Sequence, residues 1–220
     1  AIQDNSPYFE KGFTKERGIA FFLQGTYSYQ QRYVFAGTLN YEGSNQLGRS
    51  RSARWLPTWN ASARWNASNE KFLEDNNTIS NLAFRLSYGL IAGLGAASNA
   101  LAIFENSIAN RYNSADRESM ITIKSLQNSE LTWEKVYETN VGIELGLFKN
   151  RINLSLDLYQ KNSKDLIDLV RTSGIGGEIT KLANNATMVT KGIELALDTK
   201  NIKTDDFSWN TGINFAYFNQ

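Results

Sequence analysis

From Arg151 to Gln160 the chain alternates between apolar and polar residues. Ile152, Leu154, Leu156 and Leu158 fall on one side, and Asn153, Ser155 and Asp157 on the other. Successive side chains of a strand point to opposite faces, so this spacing predicts a β-strand with one dry face and one wet face. The same period returns at Val141, Ile143, Leu145 and Leu147, at Ile193, Leu195 and Leu197, and at Phe207, Trp209, Thr211, Ile213, Phe215 and Tyr217. Followed along the chain, it predicts about eight strands, near 18–29, 32–42, 55–66, 80–91, 137–148, 151–163, 187–199 and 206–218.

A strand of about 10 residues, rising about 3.3 Å each and tilted about 45°, climbs roughly 23 Å, the height of the apolar band of a membrane-spanning barrel. The connections alternate in length. Tyr29 to Arg32, Lys149-Asn150 and Asn201 to Asp205 are short and Ala67 to Ile79 is moderate, whereas Glu42 to Arg54, Gly93 to Lys135 and Asn162 to Ala186 are long. Short turns at one end and long loops at the other are the build of such a barrel, with the long loops extracellular. Tyr27, Tyr29, Tyr33, Trp55, Trp59, Trp65, Tyr88, Tyr159, Trp209 and Tyr217 lie towards strand ends or on outward faces, where a ring can sit half wet in the headgroup zone. A soluble β-sandwich shares the alternation and the aromatic content, and the uneven loops favour the barrel over it. One stretch departs from this period: Leu101, Phe104 and Ile108 stand near helical spacing and predict a short helix within the longest loop. Asn69 to Phe72 reads as a single helical turn at the opposite rim.

Composition narrows the chemistry. The 220 residues contain neither Cys nor His, which removes disulfides, thiolate zinc sites, a cysteine nucleophile and the commonest general base. With 23 Lys and Arg against 22 Asp and Glu there is no net field to hold nucleic acid. The least polar stretch, Gly89 to Ala97, is too short for a membrane-spanning helix, so any crossing is made by strands. Asp165 with Asp168 and Asp205 with Asp206 read as solvated loop charges, and Gly174-Ile175-Gly176-Gly177 lacks the Lys-Ser or Lys-Thr of a phosphate loop. No catalytic residue, metal site or cofactor is expected. Glu144, Asp157, Glu194 and Asp198 alternate with apolar positions, and in a barrel they would line the lumen and pair with Arg64 and Arg85, which share their phase. Arg49, Arg51 and Arg54 form a small basic cluster in a long loop.

Gln31-Arg32-Tyr33-Val34-Phe35 leading to Tyr41-Glu42-Gly43-Ser44-Asn45-Gln46-Leu47-Gly48 resembles a stretch of the SusC/RagA family of TonB-dependent outer-membrane transporters of Bacteroidetes. The resemblance continues, in order, through Leu56-Pro57-Thr58, Ala63-Arg64-Trp65, Arg85 to Gly89, Leu131-Thr132-Trp133-Glu134-Lys135, Asp157 to Lys161, Asn184-Asn185, Lys191 to Leu195 and Phe207-Ser208-Trp209. Glu42 departs from the Asp usual in that family, and Asn45 and Gln46 depart from its polar run.

The resemblance implies an all-β fold: residues 1–220 would be an antiparallel transmembrane arc within a barrel of about 22 strands. The plug, the TonB-contacting segment and further strands would lie outside this chain. It implies TonB-driven import of a glycan fragment or peptide through the outer membrane of a Gram-negative bacterium, under a SusD-like surface lipoprotein. Outer-membrane lipid would be the remaining partner. Ligand or lid contacts are then expected in the long loops, with Arg49, Arg51, Arg111, Tyr112, Asp116 and Arg117 as candidates. The alternatives are a passive eight-stranded outer-membrane barrel and a soluble carbohydrate-binding sandwich.

Overall fold

The computed structural model describes residues 15–73, 76–95, 101–110, 117–175 and 179–220. Its strands are β1 (Gly18–Tyr29), β2 (Tyr33–Ser44), β3 (Trp55–Asn66), β4 (Ile79–Gly93), β5 (Ile103–Asn110), β6 (Arg117–Ser125), β7 (Glu134–Leu147), β8 (Ile152–Arg171), β9 (Thr180–Lys203) and β10 (Ser208–Asn219). Eight of them form one antiparallel sheet in the order β1-β2-β3-β4-β7-β8-β9-β10, while β5 and β6 make a separate hairpin. The sheet is open, and β1 and β10 are its edges.

Register turns the alternation of single strands into two continuous faces. Phe35, Ala63, Leu86, Val141, Leu158, Ile193 and Tyr217 stand opposite one another from β2 to β10. So do Phe84, Ile143, Leu156, Leu195 and Phe215, from β4 to β10. The other face carries Val34, Arg64, Arg85, Gly142, Asp157, Glu194 and Ala216 in one row. A one-residue slip would exchange the two faces, so the apolar wall itself fixes the register.

Aromatic rings mark both ends of the apolar face. Trp65 stacks on Phe84 with centroids 5.5 Å apart near the short turns, and Tyr41 stacks on Trp55 at 4.9 Å near the long loops. Trp59 meets Tyr88 edge-on at 5.3 Å. Tyr159 differs from the expectation for it. It shares the face of Asp157 and covers Gly192, opposite it on β9, at a place where a Cβ would collide with the ring.

Short turns close one end. Tyr29 to Tyr33 turns through Gln30 and Gln31 at φ 50° and 56°, a left-handed pair usually filled by Asn-Gly. Beside that turn, Ala67–Asn69 forms one 3-10 turn, just before the single helical turn expected at Asn69 to Phe72 and sharing only Asn69 with it. Tyr33 Oη donates to Glu70 Oε1 at 2.7 Å, Trp65 Nε1 donates to the same oxygen at 3.3 Å, and Arg32 lies 3.5 Å from Glu70 Oε2. The hydrogen bond from Tyr33 holds the Glu70 carboxyl below the usual carboxylate range.

Two expectations fail at the long-loop end. The helix expected around Leu101 to Ile108 is strand β5 over its described part, paired with β6; Ser98 to Ala100 lie outside the described residues. Phe104 and Ile108 are four residues apart, which satisfies a strand face as well as a helical one. Strands β8 and β9 also run past the expected ends at 163 and 187, reaching Arg171 and starting at Thr180. A bulge between Ser163 and Leu166, with Asp165 at φ 56°, shifts the alternation there.

Candidate functional site: a charged sheet face and a packed rim

The polar face holds an ion network spread over four strands. Arg64 Nη2 lies 2.6 Å from Glu144 Oε2, and Arg64 Nη1 donates to Oε1 at 3.1 Å, a two-pronged pair. Arg85 Nη2 donates to both Asp157 oxygens at 3.0 Å. Arg85 Nε approaches Glu144 Oε1 to 3.2 Å without the alignment of a hydrogen bond, and this N–H is buried without an acceptor. The network thus runs from Arg64 on β3 and Arg85 on β4 to Glu144 on β7 and Asp157 on β8. Gly142 makes the long reach possible. It sits between Arg85 and Asp157 in the row, and a Cβ there would stand 2.6 Å from Asp157 Oδ1 and 3.0 Å from Arg85 Nη2.

Sequence phase placed six charged residues on this face, and the structure connects four of them. Glu194 and Asp198 are exposed on β9 and have no ion-pair partner among the described residues. The expected pairing of these two with Arg64 and Arg85 is therefore corrected. Glu194 stands three strands from Arg85, about 14 Å at the usual strand spacing, beyond side-chain reach. A weaker pair missed in the sequence, Lys161 Nζ to Glu138 at 3.9 Å, lies further up the face.

At the long-loop end a small hydrophobic cluster of Leu47, Leu131, Trp133 and Ile167 ties the loops together, with Leu56, Ala92, Leu94 and Leu182 packed against it. Polar bonds lock the same segments. Asn184 Oδ1 accepts from Thr132 N at 2.9 Å, while its Nδ2 donates to Thr132 O at 2.8 Å and to Asp165 O at 2.7 Å. Trp133 Nε1 donates to Arg54 O at 2.9 Å, Asn128 Nδ2 to Leu182 O at 2.7 Å, and Gly48 N to Leu131 O at 2.8 Å. Gly48 is required by this closure, because a Cβ would run into the Ser129 carbonyl. The segments Tyr41 to Gly48, Leu131 to Lys135 and Asn184-Asn185, picked out separately along the sequence, thus meet at one rim.

The candidate contact residues are scattered. Arg49 is exposed beside this rim, and Arg51 opens α1 (Arg51–Arg54), one short turn capped where Ser50 Oγ accepts from Ala53 N at 3.1 Å. Arg54 turns inward and donates from Nε to Gly48 O at 2.8 Å. Arg111, Tyr112 and Asp116 lie outside the described residues, and Arg117 opens β6. Asp165 pairs with Lys135 at 2.6 Å, and Asp168 accepts from Leu169 N. Among the described residues no group of three or more acidic side chains is placed to hold a metal ion.

Comparison with known proteins agrees with this two-faced arc. Residues 2–220 match the family described as TonB dependent receptor-like, beta-barrel. TonB-dependent receptor P3 of Formosa agariphila is 28% identical over 202 residues, covering 90% of this chain and 20% of the relative. TonB-dependent receptor SusC of Bacteroides thetaiotaomicron is 27% identical over 209 residues, covering 93% and 20%. Among solved structures, the RagAB peptide transporter superposes with a TM-score of 0.81 at 21% identity, covering 93% of this chain and 22% of that one. The chain spans about a fifth of the length of the curated relatives it matches. An open antiparallel sheet with an unbroken apolar wall, short turns at one end and a match across nearly its whole length has one consistent reading: the chain belongs to the TonB-dependent receptor β-barrel family, of which it forms an arc.

Proposed function

We propose that the whole protein imports a large nutrient, an oligosaccharide or an oligopeptide, across the outer membrane of a Gram-negative bacterium with energy delivered through TonB. This arc supplies barrel wall and extracellular rim, with no bond-making chemistry. The observation that carries the reading is the contrast between the two faces. An apolar wall runs across seven strands, while the opposite face holds Arg64, Arg85, Glu144 and Asp157 in fixed ion pairs. In a membrane the first faces lipid and the second a wet lumen. A passive eight-stranded barrel requires the first and last strands to pair, and here β1 and β10 are edges.

The plug and the TonB-contacting segment belong in the remainder of the protein. The long loops and packed rim form part of the extracellular mouth, where a SusD-like lipoprotein acts as lid. Arg49, Arg51, Arg111, Tyr112, Asp116 and Arg117 are assigned to the substrate or lid surface, and Glu194 and Asp198 to the lumen wall. The likeness to SusC and to RagAB supports an importer, and RagAB is a peptide transporter. The test is uptake of labelled oligosaccharides and peptides by cells expressing the full-length protein, with and without a functional TonB. Uptake that stops when TonB is lost is the expected result. Uptake that continues at the same rate would indicate a passive pore.

A further inference from the structure

The apolar face ends, above β1 to β3, in a cationic cavity that the transport reading leaves unused. By register Ile19 stands opposite Gly43 and Gly43 opposite Trp55, in the phase of Phe21, Leu23, Leu39 and Tyr41 below them. Ile19, Phe21, Leu23 and Leu39 are each more than half exposed on this face. Above them lies a cavity of about 240 Å³ whose lining includes Arg17, Ile19, Gly43, Asn45, Arg54 and Trp55.

Its parts are held in place. A Cβ on Gly43 would stand 2.8 Å from the Trp55 ring, which lies against this bare backbone and stacks on Tyr41 at 4.9 Å. Arg17 N donates to Asn45 Oδ1 at 2.7 Å, and Arg17 O accepts from Asn45 N at 3.1 Å. Arg54 Nε donates to Gly48 O at 2.8 Å. The Arg17 guanidinium and the two Nη groups of Arg54 have no partner among the described residues. No Asp or Glu lines the cavity, and Glu42, the acidic residue of β2, stands opposite Ala20 in the polar phase.

Size, charge and position together decide the ligand. The cavity is smaller than the roughly 300–1,000 Å³ that encloses a whole small molecule, so it suits one group of a larger ligand. Two guanidinium groups without a carboxylate call for an anion, and their planar fork matches a phosphate. The apolar wall directly below calls for hydrocarbon, and the Tyr41–Trp55 pair belongs at headgroup level. A phosphorylated lipid meets all three demands, whereas free phosphate meets only the first. An imported nutrient passes along the other face of the sheet.

We propose that this cavity binds the phosphate of an outer-leaflet lipid, with Arg17 and Arg54 as donors and the acyl chains lying on Ile19, Phe21, Leu23 and Leu39. The assignment rests on the apolar face being lipid-facing, and on neither the cargo nor the lid. A lipid held there bridges β1 and the loop between β2 and β3.

The test titrates the full-length protein in detergent with diphosphorylated lipid A, and with the same lipid after enzymatic removal of its phosphates, counting bound lipid by native mass spectrometry. Arg17→Gln, which leaves the bond from Arg54 to Gly48 in place, is expected to weaken binding of the phosphorylated lipid about fivefold, and Arg17→Gln with Arg54→Gln about twentyfold. Neither variant should alter binding of the dephosphorylated lipid. Lys191→Gln removes an exposed cation from the same face on β9 and should change binding by less than about twofold. Equal binding by the unaltered protein and the arginine variants overturns the site. An equal loss with Lys191→Gln also overturns it, since diffuse surface charge would then suffice. Full competition by millimolar inorganic phosphate would mean a free-anion site and refute the lipid assignment. If the unaltered protein binds neither form of the lipid, the lipid-facing reading fails and this inference fails with it.

Discussion

Gly142→Ala offers a direct test of the polar-face network, because one methyl group enters the space that the ion pairs occupy. Gly142 has no left-handed backbone angle, so the cost is one of space alone. The new Cβ would lie 2.6 Å from Asp157 Oδ1, 3.0 Å from Arg85 Nη2 and 3.1 Å from Arg85 Nε. Arg85 and Asp157 would have to part, and Arg85 would move away from Glu144 as well. The control is Gly37→Ala on β2, where a Cβ meets nothing closer than 4.0 Å. Both substitutions remove the same unfolded-chain freedom, so that contribution cancels between them.

Hydrogen bonds to charged groups contribute about 1.5–3 kcal/mol, and fully exposed ion pairs about 0.2–1 kcal/mol. The Arg85 and Asp157 side chains are 37% and 22% exposed, between these limits. Gly142→Ala should therefore be less stable than Gly37→Ala by about 1–2 kcal/mol. The assay is urea unfolding of the full-length protein in detergent or lipid, followed by tryptophan fluorescence. In an Asp157→Ala background the closest collision is gone, and the gap should fall below about 0.5 kcal/mol. Equal stability of the two alanine variants would refute the crowding argument. A gap that keeps its full size without Asp157 would place the strain in the backbone and not in the ion network.

Leu156→Arg on the apolar face should cost about 2–4 kcal/mol at the bilayer midplane while Ser155→Arg costs far less, and equal tolerance in a lipid refolding assay would reverse the assignment of the faces. Replacing Gln30-Gln31 by Asn-Gly relieves two left-handed residues and should stabilise the barrel by about 1 kcal/mol in the same assay; no gain would mean that neighbours hold the turn. Because the Glu70 carboxyl is held below its ordinary range, its stabilisation is present above the unfolded value and is lost as pH falls through the folded one. Amide exchange at Asn66 to Glu70 should accelerate on acidification through that window, and Glu70→Gln should flatten the profile.

The eight strands of the sheet were legible because a sheet with one apolar face imposes the simplest pattern available, an apolar residue at every second position. Ile152 to Leu158 and Ile193 to Leu197 show it without interruption. Beyond the apolar band that demand ends, and so did legibility. The bulge at Asp165 breaks the phase of β8, so the last residues of β8 and the first of β9 were not visible. In β5, polar Asn106 separates Phe104 from Ile108, leaving a spacing of four that serves helix and strand alike. Only pairing with Ile121 and Ile123 on a second strand decides between them, and that information is not local.

The polar face shows the same boundary in a different form. Phase assigns Arg64, Arg85, Glu144, Asp157, Glu194 and Asp198 to one side, but neighbours are set by register and by the size of the residues between them. Arg85 reaches Asp157 across β7 because Gly142 leaves the gap open. Continuing the row by one strand reaches Glu194, which has no ion-pair partner among the described residues. A glycine with no special backbone angle therefore decides which charges join, and its role appears only once β4, β7 and β8 lie side by side. Other glycines on this face follow the same logic, with Gly192 admitting the Tyr159 ring and Gly146 the side chains of Asn150 and Asn153. On a wall whose strands are about 4.8 Å apart, such gaps let long polar side chains lie flat across a neighbour. Filling Gly142 or Gly192 would push those side chains off the wall, so the glycines shape the polar surface as much as the charged residues do.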